Sequence, residues 1–133
     1  MAQAGRIPPH NIEAEESVLG SILLDKDAIV QVADILRPEH FYVPAHRDIF
    51  ESDLLLYENR EPIDILTLSN ALKKKKVLTK VGGAAYLTDL ANKVPTSANV
   101  RHYANLVKDA FTKREIISMG AVLTEQAFDP GYE

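Results

Sequence analysis

Arg114-Glu115-Ile116-Ile117-Ser118-Met119-Gly120-Ala121-Val122-Leu123-Thr124-Glu125-Gln126-Ala127-Phe128 closes a segment, about 98–128, that contains no proline and reads as one helix. Thr96 or Ser97 offers its N-cap, and Pro130-Gly131 stops it. About 31 residues rising ~1.5 Å each give a helix of nearly 47 Å. The roughly 95 residues before it would fold to a radius of gyration of about 12 Å, hence a diameter of roughly 30 Å. The helix must therefore stick out. Its first half carries an ordinary stripe, Val100, Tyr103, Val107, Ala110 and Phe111. Beyond Arg114 the apolar residues Ile116, Ile117, Met119, Val122, Leu123 and Phe128 point in several directions. A protruding helix of that kind needs partners on more than one side, through self-association or docking to another protein. The alternative is a break near Gly120 that folds the second half back on its own domain.

Working back along the chain, helical signals recur. Residues 1–9 read as a flexible arm stopped by Pro8-Pro9, and 10–96 as a globular helical head. Asn11 is a good N-cap, with Glu13, Glu15 and Glu16 where a helix dipole favours carboxylates. Ile12, Val18, Leu19, Ile22 and Leu23 follow at helical spacing, and Gly20 among them suggests a close helix contact. A second helix is expected over about 27–36, ending before Pro38. Pro44 opens a third, through about Tyr57, and Asp64 caps a fourth that runs into Lys73-Lys74-Lys75-Lys76. Lys76-Val77-Leu78-Thr79 is too short to assign, and Gly82-Gly83 precedes a helix over about 84–92. No segment alternates with period two. The class is all-α: a compact six-helix orthogonal bundle with a long helix over 97–129 and a turn at 130–133.

Composition narrows the function. The 133 residues hold 15 basic and 19 acidic side chains, a formal charge of −4, without the basic excess usual in a dedicated nucleic-acid domain. There is no cysteine, hence no disulfide and no thiol catalysis. The N-terminus has no signal-peptide stretch, and nowhere do the apolar residues run long enough to span a membrane, so a cytoplasmic protein is expected. The abrupt end at Asp129-Pro130-Gly131-Tyr132-Glu133 suggests a piece of something longer.

Catalytic constellations are missing from the string. His10, His40, His46 and His102 form no metal-ligand pair, and each reads as a surface or half-buried polar residue. His46-Arg47-Asp48 lacks the downstream asparagine of a kinase loop, Asp53 standing in its place. There is no G-x-S-x-G and no G-x-x-x-x-G-K-[ST], so no metal, cofactor or catalytic residue is assigned. Gly82-Gly83 is either a tight turn or an anion cradle. Lys73, Lys74, Lys75, Lys76 and nearby Lys80 either touch phosphates or solvate a helix C-terminus. Tyr86 is either core or an exposed anchor. As an anchor its loss would weaken binding and leave melting little changed; as core it would lower stability.

Several strings together are specific. Arg6-Ile7-Pro8-Pro9-His10-Asn11-Ile12-Glu13-Ala14-Glu15-Glu16-Ser17-Val18-Leu19-Gly20 resembles the opening of the N-terminal domain of the bacterial replicative DNA helicase, DnaB type. Arg37-Pro38-Glu39-His40-Phe41-Tyr42, Ala45-His46 and Glu61-Pro62-Ile63-Asp64 continue the likeness. Gly82-Gly83-Ala84-Ala85-Tyr86-Leu87 and Val94-Pro95-Thr96-Ser97-Ala98-Asn99-Val100 complete it, in order over about residues 6–132. The family usually has glycine where this chain has Arg60, so Asn59 is expected to take the left-handed cap. Thr112-Lys113 is more polar than the usual hairpin segment.

The resemblance implies a six-helix head followed by a helical hairpin of which this chain holds the first arm. It also implies a RecA-like motor domain elsewhere in the parent, with ATP and Mg bound there and none in this fragment. Family N-terminal domains pair through their hairpins into a trimer-of-dimers collar on a hexameric ring that acts on DNA. They also receive the primase C-terminal domain. Positions matching primase contacts are Tyr86, Ile117 and Leu123; Phe111, Ile116, Ile117, Val122 and Leu123 fall to the oligomer interface. The alternative function is a helical nucleic-acid-binding domain using Lys73–Lys76 and Lys80.

Overall fold

Asn11 does what its position promises: its side chain accepts the Ala14 N–H at 2.9 Å and starts α1, Ile12–Leu24. The computed structural model describes residues 6–131, so residues 1–5 of the expected arm and 132–133 of the expected turn lie outside the described residues. α1 is the hub. Ala14, Val18, Leu19 and Ile22 are buried on it, and so are Glu15, Ser17 and Ser21. A helix buried on so many sides must be enclosed, and α3 (Pro44–Glu58), α6 (Gly83–Lys93) and α7 (Val100–Phe128) all pack against it. Gly20 makes one of these contacts possible. A Cβ there would stand 2.1 Å from the Leu90 carbonyl oxygen of α6, so only glycine lets the two backbones approach.

α2 spans only Ala28–Val32 and stops short of the expected Leu36. The Ile35 and Leu36 N–H groups both bond to the Val32 carbonyl, closing the helix in a turn rather than extending it. Pro38 holds Arg37 extended (φ −125°, ψ 160°), and a 3-10 turn, Pro38–His40, follows. α3, Pro44–Glu58, opens on its proline as expected.

At the end of α3 the structure corrects the sequence reading. Asn59 stays at φ −86°, and Arg60 itself takes the left-handed conformation at φ 58°. The Arg60 and Glu61 N–H groups close the turn on the Tyr57 and Leu56 carbonyls. α4, Ile65–Lys74, begins on a reciprocal cap in which Asp64 accepts the Thr67 N–H and Thr67 Oγ1 accepts the Asp64 N–H. The unassigned stretch at 76–79 leads into α5, a single turn at Leu78–Val81. Gly82, at φ 114°, ends α5 and begins α6, Gly83–Lys93. That favours the tight-turn reading of the glycine pair.

α7, Val100–Phe128, is continuous through Gly120 and rises about 43 Å. Its N-cap is Asn99, not Thr96 or Ser97. Ser97 Oγ instead donates to Asp25 Oδ2 at 2.8 Å, tying the α6–α7 link to the end of α1. Val100, Ala104 and Val107 join the core with Phe41, Ile49, Phe50, Leu68, Leu72, Leu87 and Leu90. Among the described residues every regular element is helical, six α-helices before α7. No described helix is long and apolar enough to cross a membrane.

Candidate docking surface

Arg114 marks the place where α7 leaves the head. Its guanidinium donates to the Pro9 and His40 carbonyls, both at 2.9 Å, and lies over the rings of Tyr42 and Phe111. Beyond it, every residue from Glu115 to Glu125 is exposed. Ile116 and Leu123 are each 63% exposed and Ile117 54%, a large apolar surface with nothing packed on it. Helical geometry sorts this surface into two faces. Ile116, Met119, Val122 and Leu123 share one side; Ile117, Ala121 and Phe128 share a nearly opposite side. Ile117 and Leu123, six residues apart, stand about 120° from each other around the axis. Phe111 is placed differently: half-buried on the head, it packs on the His40 ring at 4.6 Å.

Tyr86 lies on α6, neither free anchor nor full core. Its ring is half-buried against the core and its hydroxyl sits in a polar chain. The chain begins at Glu15, whose buried carboxylate accepts the Tyr42 and Val43 N–H groups at 2.7 and 3.3 Å and so caps α3 from outside. Glu15 Oε1 is also 2.7 Å from His46 Nδ1, and His46 Nε2 is 2.7 Å from the Tyr86 hydroxyl. The tyrosine donates to Glu16 Oε2 at 2.9 Å, and Lys93 donates to Glu16 Oε1 at 2.6 Å. Three helices are thereby cross-linked.

The burial and charges of this polar chain shift the pKa values of its members. Burial raises the Tyr86 phenol far above its ordinary range, reinforced by its bond to Glu16. Burial would raise Glu16 too, but the bonds from Lys93 and Tyr86 outweigh it and hold the carboxyl below its usual value. Its bond to Glu16, and the carboxylate's charge, raise Lys93 in turn.

The histidines correct the sequence reading further. His46 and His40 are both buried, 1% and 8% exposed, because each ring has specific polar partners: His40 Nδ1 accepts the Arg37 N–H, and His46 bridges Glu15 and the Tyr86 hydroxyl. Burial pushes His40 below its ordinary pKa. Glu15 and His46 were not singled out as a pair in the sequence, and 31 residues separate them. Lys73, Lys74, Lys75, Lys76 and Lys80 are all exposed, and Lys75 is paired with Glu51 at 2.7 Å. Among the described residues no His, Asp or Glu cluster is placed to hold a metal.

Residues 7–109 match the family model described as the DnaB-like helicase N terminal domain. The chain belongs to this family. It is 39% identical over 123 residues to the replicative DNA helicase DnaB of Leifsonia xyli and 40% to that of Geobacillus stearothermophilus. It is 38% identical to the replicative DNA helicase DnaC of Bacillus subtilis. Each alignment covers 92% of this chain but 27% of the relative, so the chain spans about a quarter of the curated relatives' length.

The crystal structure of the DnaB N-terminal domain from Mycobacterium tuberculosis superposes with a TM-score of 0.89 at 39% identity, covering 92% of this chain and 86% of that one. An N-terminal domain of DnaB from Helicobacter pylori, described with its interactions with primase, gives 0.74 at 28% identity over 88% and 91% of the two chains. A DnaB-like replicative helicase, also described with its primase interactions, gives 0.76 at 31% over 86% of this chain and 27% of that chain. The DnaB-type N-terminal domain is thus reproduced here as an all-α head with a long final helix.

Proposed function

We propose that this domain is the N-terminal collar of a hexameric replicative DNA helicase, supporting ring assembly and receiving the C-terminal domain of primase during DNA replication. The observation that carries it is the bare, two-faced distal half of α7. The apolar side chains of these two faces are divided between a second copy's hairpin and primase. Ile117 and Leu123 stand too far apart around the helix for one small contact patch, so a primase domain that touches both reaches hairpins of two subunits. Tyr86 adds a contact from the head. ATP, Mg and unwinding belong to the motor region of a cytoplasmic parent chain; residues 1–133 contain no phosphate-cradling loop and are expected to show no ATPase activity.

The test is titration of the primase C-terminal domain into the parent helicase carrying Ile117→Asp or Leu123→Asp, with ring assembly followed by sedimentation. Binding should fall about tenfold or more, with the head's melting unchanged. Unchanged affinity and unchanged assembly in both variants would sink the reading.

A further inference from the structure

α3 and α4 form an antiparallel pair, as the Lys75–Glu51 bridge at the end of α4 and the short link at residues 59–64 require. Between their outer faces runs an open groove of about 760 Å³, large enough for a short peptide segment. Leu55 and Leu56 line it from α3 and Ala71 from α4; Leu55 is 41% exposed although Leu56 beside it is core. Asn59 and Asn70 add side-chain donors and acceptors suited to a peptide backbone. Charge gives the groove a direction: Glu61 lies at the end where α4 begins, and Lys73, Lys74 and Lys75 at the end where it stops. Neither Tyr86 nor any residue of α7 lines it.

We propose that this groove docks a short acidic amphipathic segment of a partner protein, with an apolar side chain seated between Leu55 and Ala71 and carboxylates on Lys73 and Lys74. Two observations favour a peptide over a nucleic-acid strand. An apolar floor contributes nothing to a phosphate backbone, and no aromatic side chain lines the groove for bases to stack on. Glu61 also repels phosphates at the far end, whereas a peptide can place a neutral or basic residue there. On a domain of net charge −4, four consecutive lysines form a local basic patch that steers acidic partners to this end.

The test uses the 1–133 chain and three probes: a short amphipathic helical peptide with leucines on one face and glutamates beside them, its glutamine-for-glutamate counterpart, and a mixed-sequence single-stranded DNA oligonucleotide. NMR titration should shift amides along the groove for the acidic peptide. Its affinity should fall about tenfold for Lys73→Glu/Lys74→Glu and for the glutamine peptide. It should also fall several-fold for Leu55→Ser, while Lys80→Glu, outside the groove, has little effect. No binding of the acidic peptide would overturn the proposal. So would binding indifferent to Leu55→Ser, or an oligonucleotide that binds the same lysines more tightly than the peptide does. The melting temperature of Leu55→Ser separates lost docking from lost folding.

Discussion

His46 Nε2 lies 2.7 Å from the Tyr86 hydroxyl, with the two rings parallel to within 3°, so the tyrosine of α6 is held by the first turn of α3. The same hydroxyl donates to Glu16 of α1. Tyr86→Ala should therefore destabilise the domain by about 2–3 kcal/mol, removing a half-buried ring and leaving His46 Nε2 and Glu16 Oε2 without their partner. Tyr86→Phe keeps the ring and should cost about 1 kcal/mol. Urea denaturation of both variants checks this; equal costs would mean the hydroxyl contributes nothing. For primase docking the phenylalanine variant is the cleaner probe, because the alanine change disturbs the fold.

Arg60→Gly should stabilise the chain by about 0.5–1 kcal/mol. A left-handed conformation costs an L-residue roughly 1–2 kcal/mol that glycine avoids, offset in part by the greater freedom of unfolded glycine. The φ of 58° at Arg60 motivates the substitution. A lower melting temperature in Arg60→Gly would show that the arginine side chain holds the turn by contacts stronger than the strain.

Gly20→Ala should be the reverse case. Its methyl would meet the backbone carbonyl of Leu90, which no side-chain rotation can clear, so α1 and α6 must separate. A loss of about 3 kcal/mol is expected from denaturant midpoints, typical of overpacking in a close-fitted core. A neutral substitution would mean the two helices slide apart freely.

Asp53 sets a pH dependence. It is buried on α3 with no hydrogen-bond partner among the described residues, and desolvation pushes its carboxyl well above the ordinary range. The folded chain then holds this proton more tightly than the unfolded chain. The stability it confers is complete below the ordinary carboxyl pKa and is lost as the pH rises through the raised one. Asp53→Asn removes the titration, so its melting advantage over the parent should widen as the pH rises from the ordinary carboxyl range towards neutrality. A constant difference across that range would show that Asp53 is ionised throughout.

Local chemistry explains which parts of the fold could be read from the string. Asn11 and Asp64 mark helix ends through their side chains, Pro44 through its ring and Gly82 through the absence of a side chain, and the structure uses all four there. The length of α7 followed from the absence of a breaker between Pro95 and Pro130. What stayed hidden was decided by distant residues. Glu15 reads as a solvent-facing acid at a helix start, yet it is buried because α3 arrives with free N–H groups at Tyr42 and Val43. Ser97 reads as a cap, but Asp25 competes successfully for its hydroxyl. Exposure of Ile116, Ile117 and Leu123 could be inferred from helix length, whereas the α3–α4 groove needed the pairing of two helices before any residue could be placed in it.

The two faces of α7 set a valence. One partner can satisfy only one of them, so a pair of copies that meet through the Ile116–Leu123 side still presents Ile117 and Phe128 to water. If copies meet through both sides, every open row of them carries an uncovered apolar face at each end. Only an arrangement that closes on itself has no ends, and closure then removes two unfavourable surfaces for a single added contact. A helix bare on opposite sides thus favours finite, closed assemblies over growing ones wherever the angle between its faces lets the circuit meet.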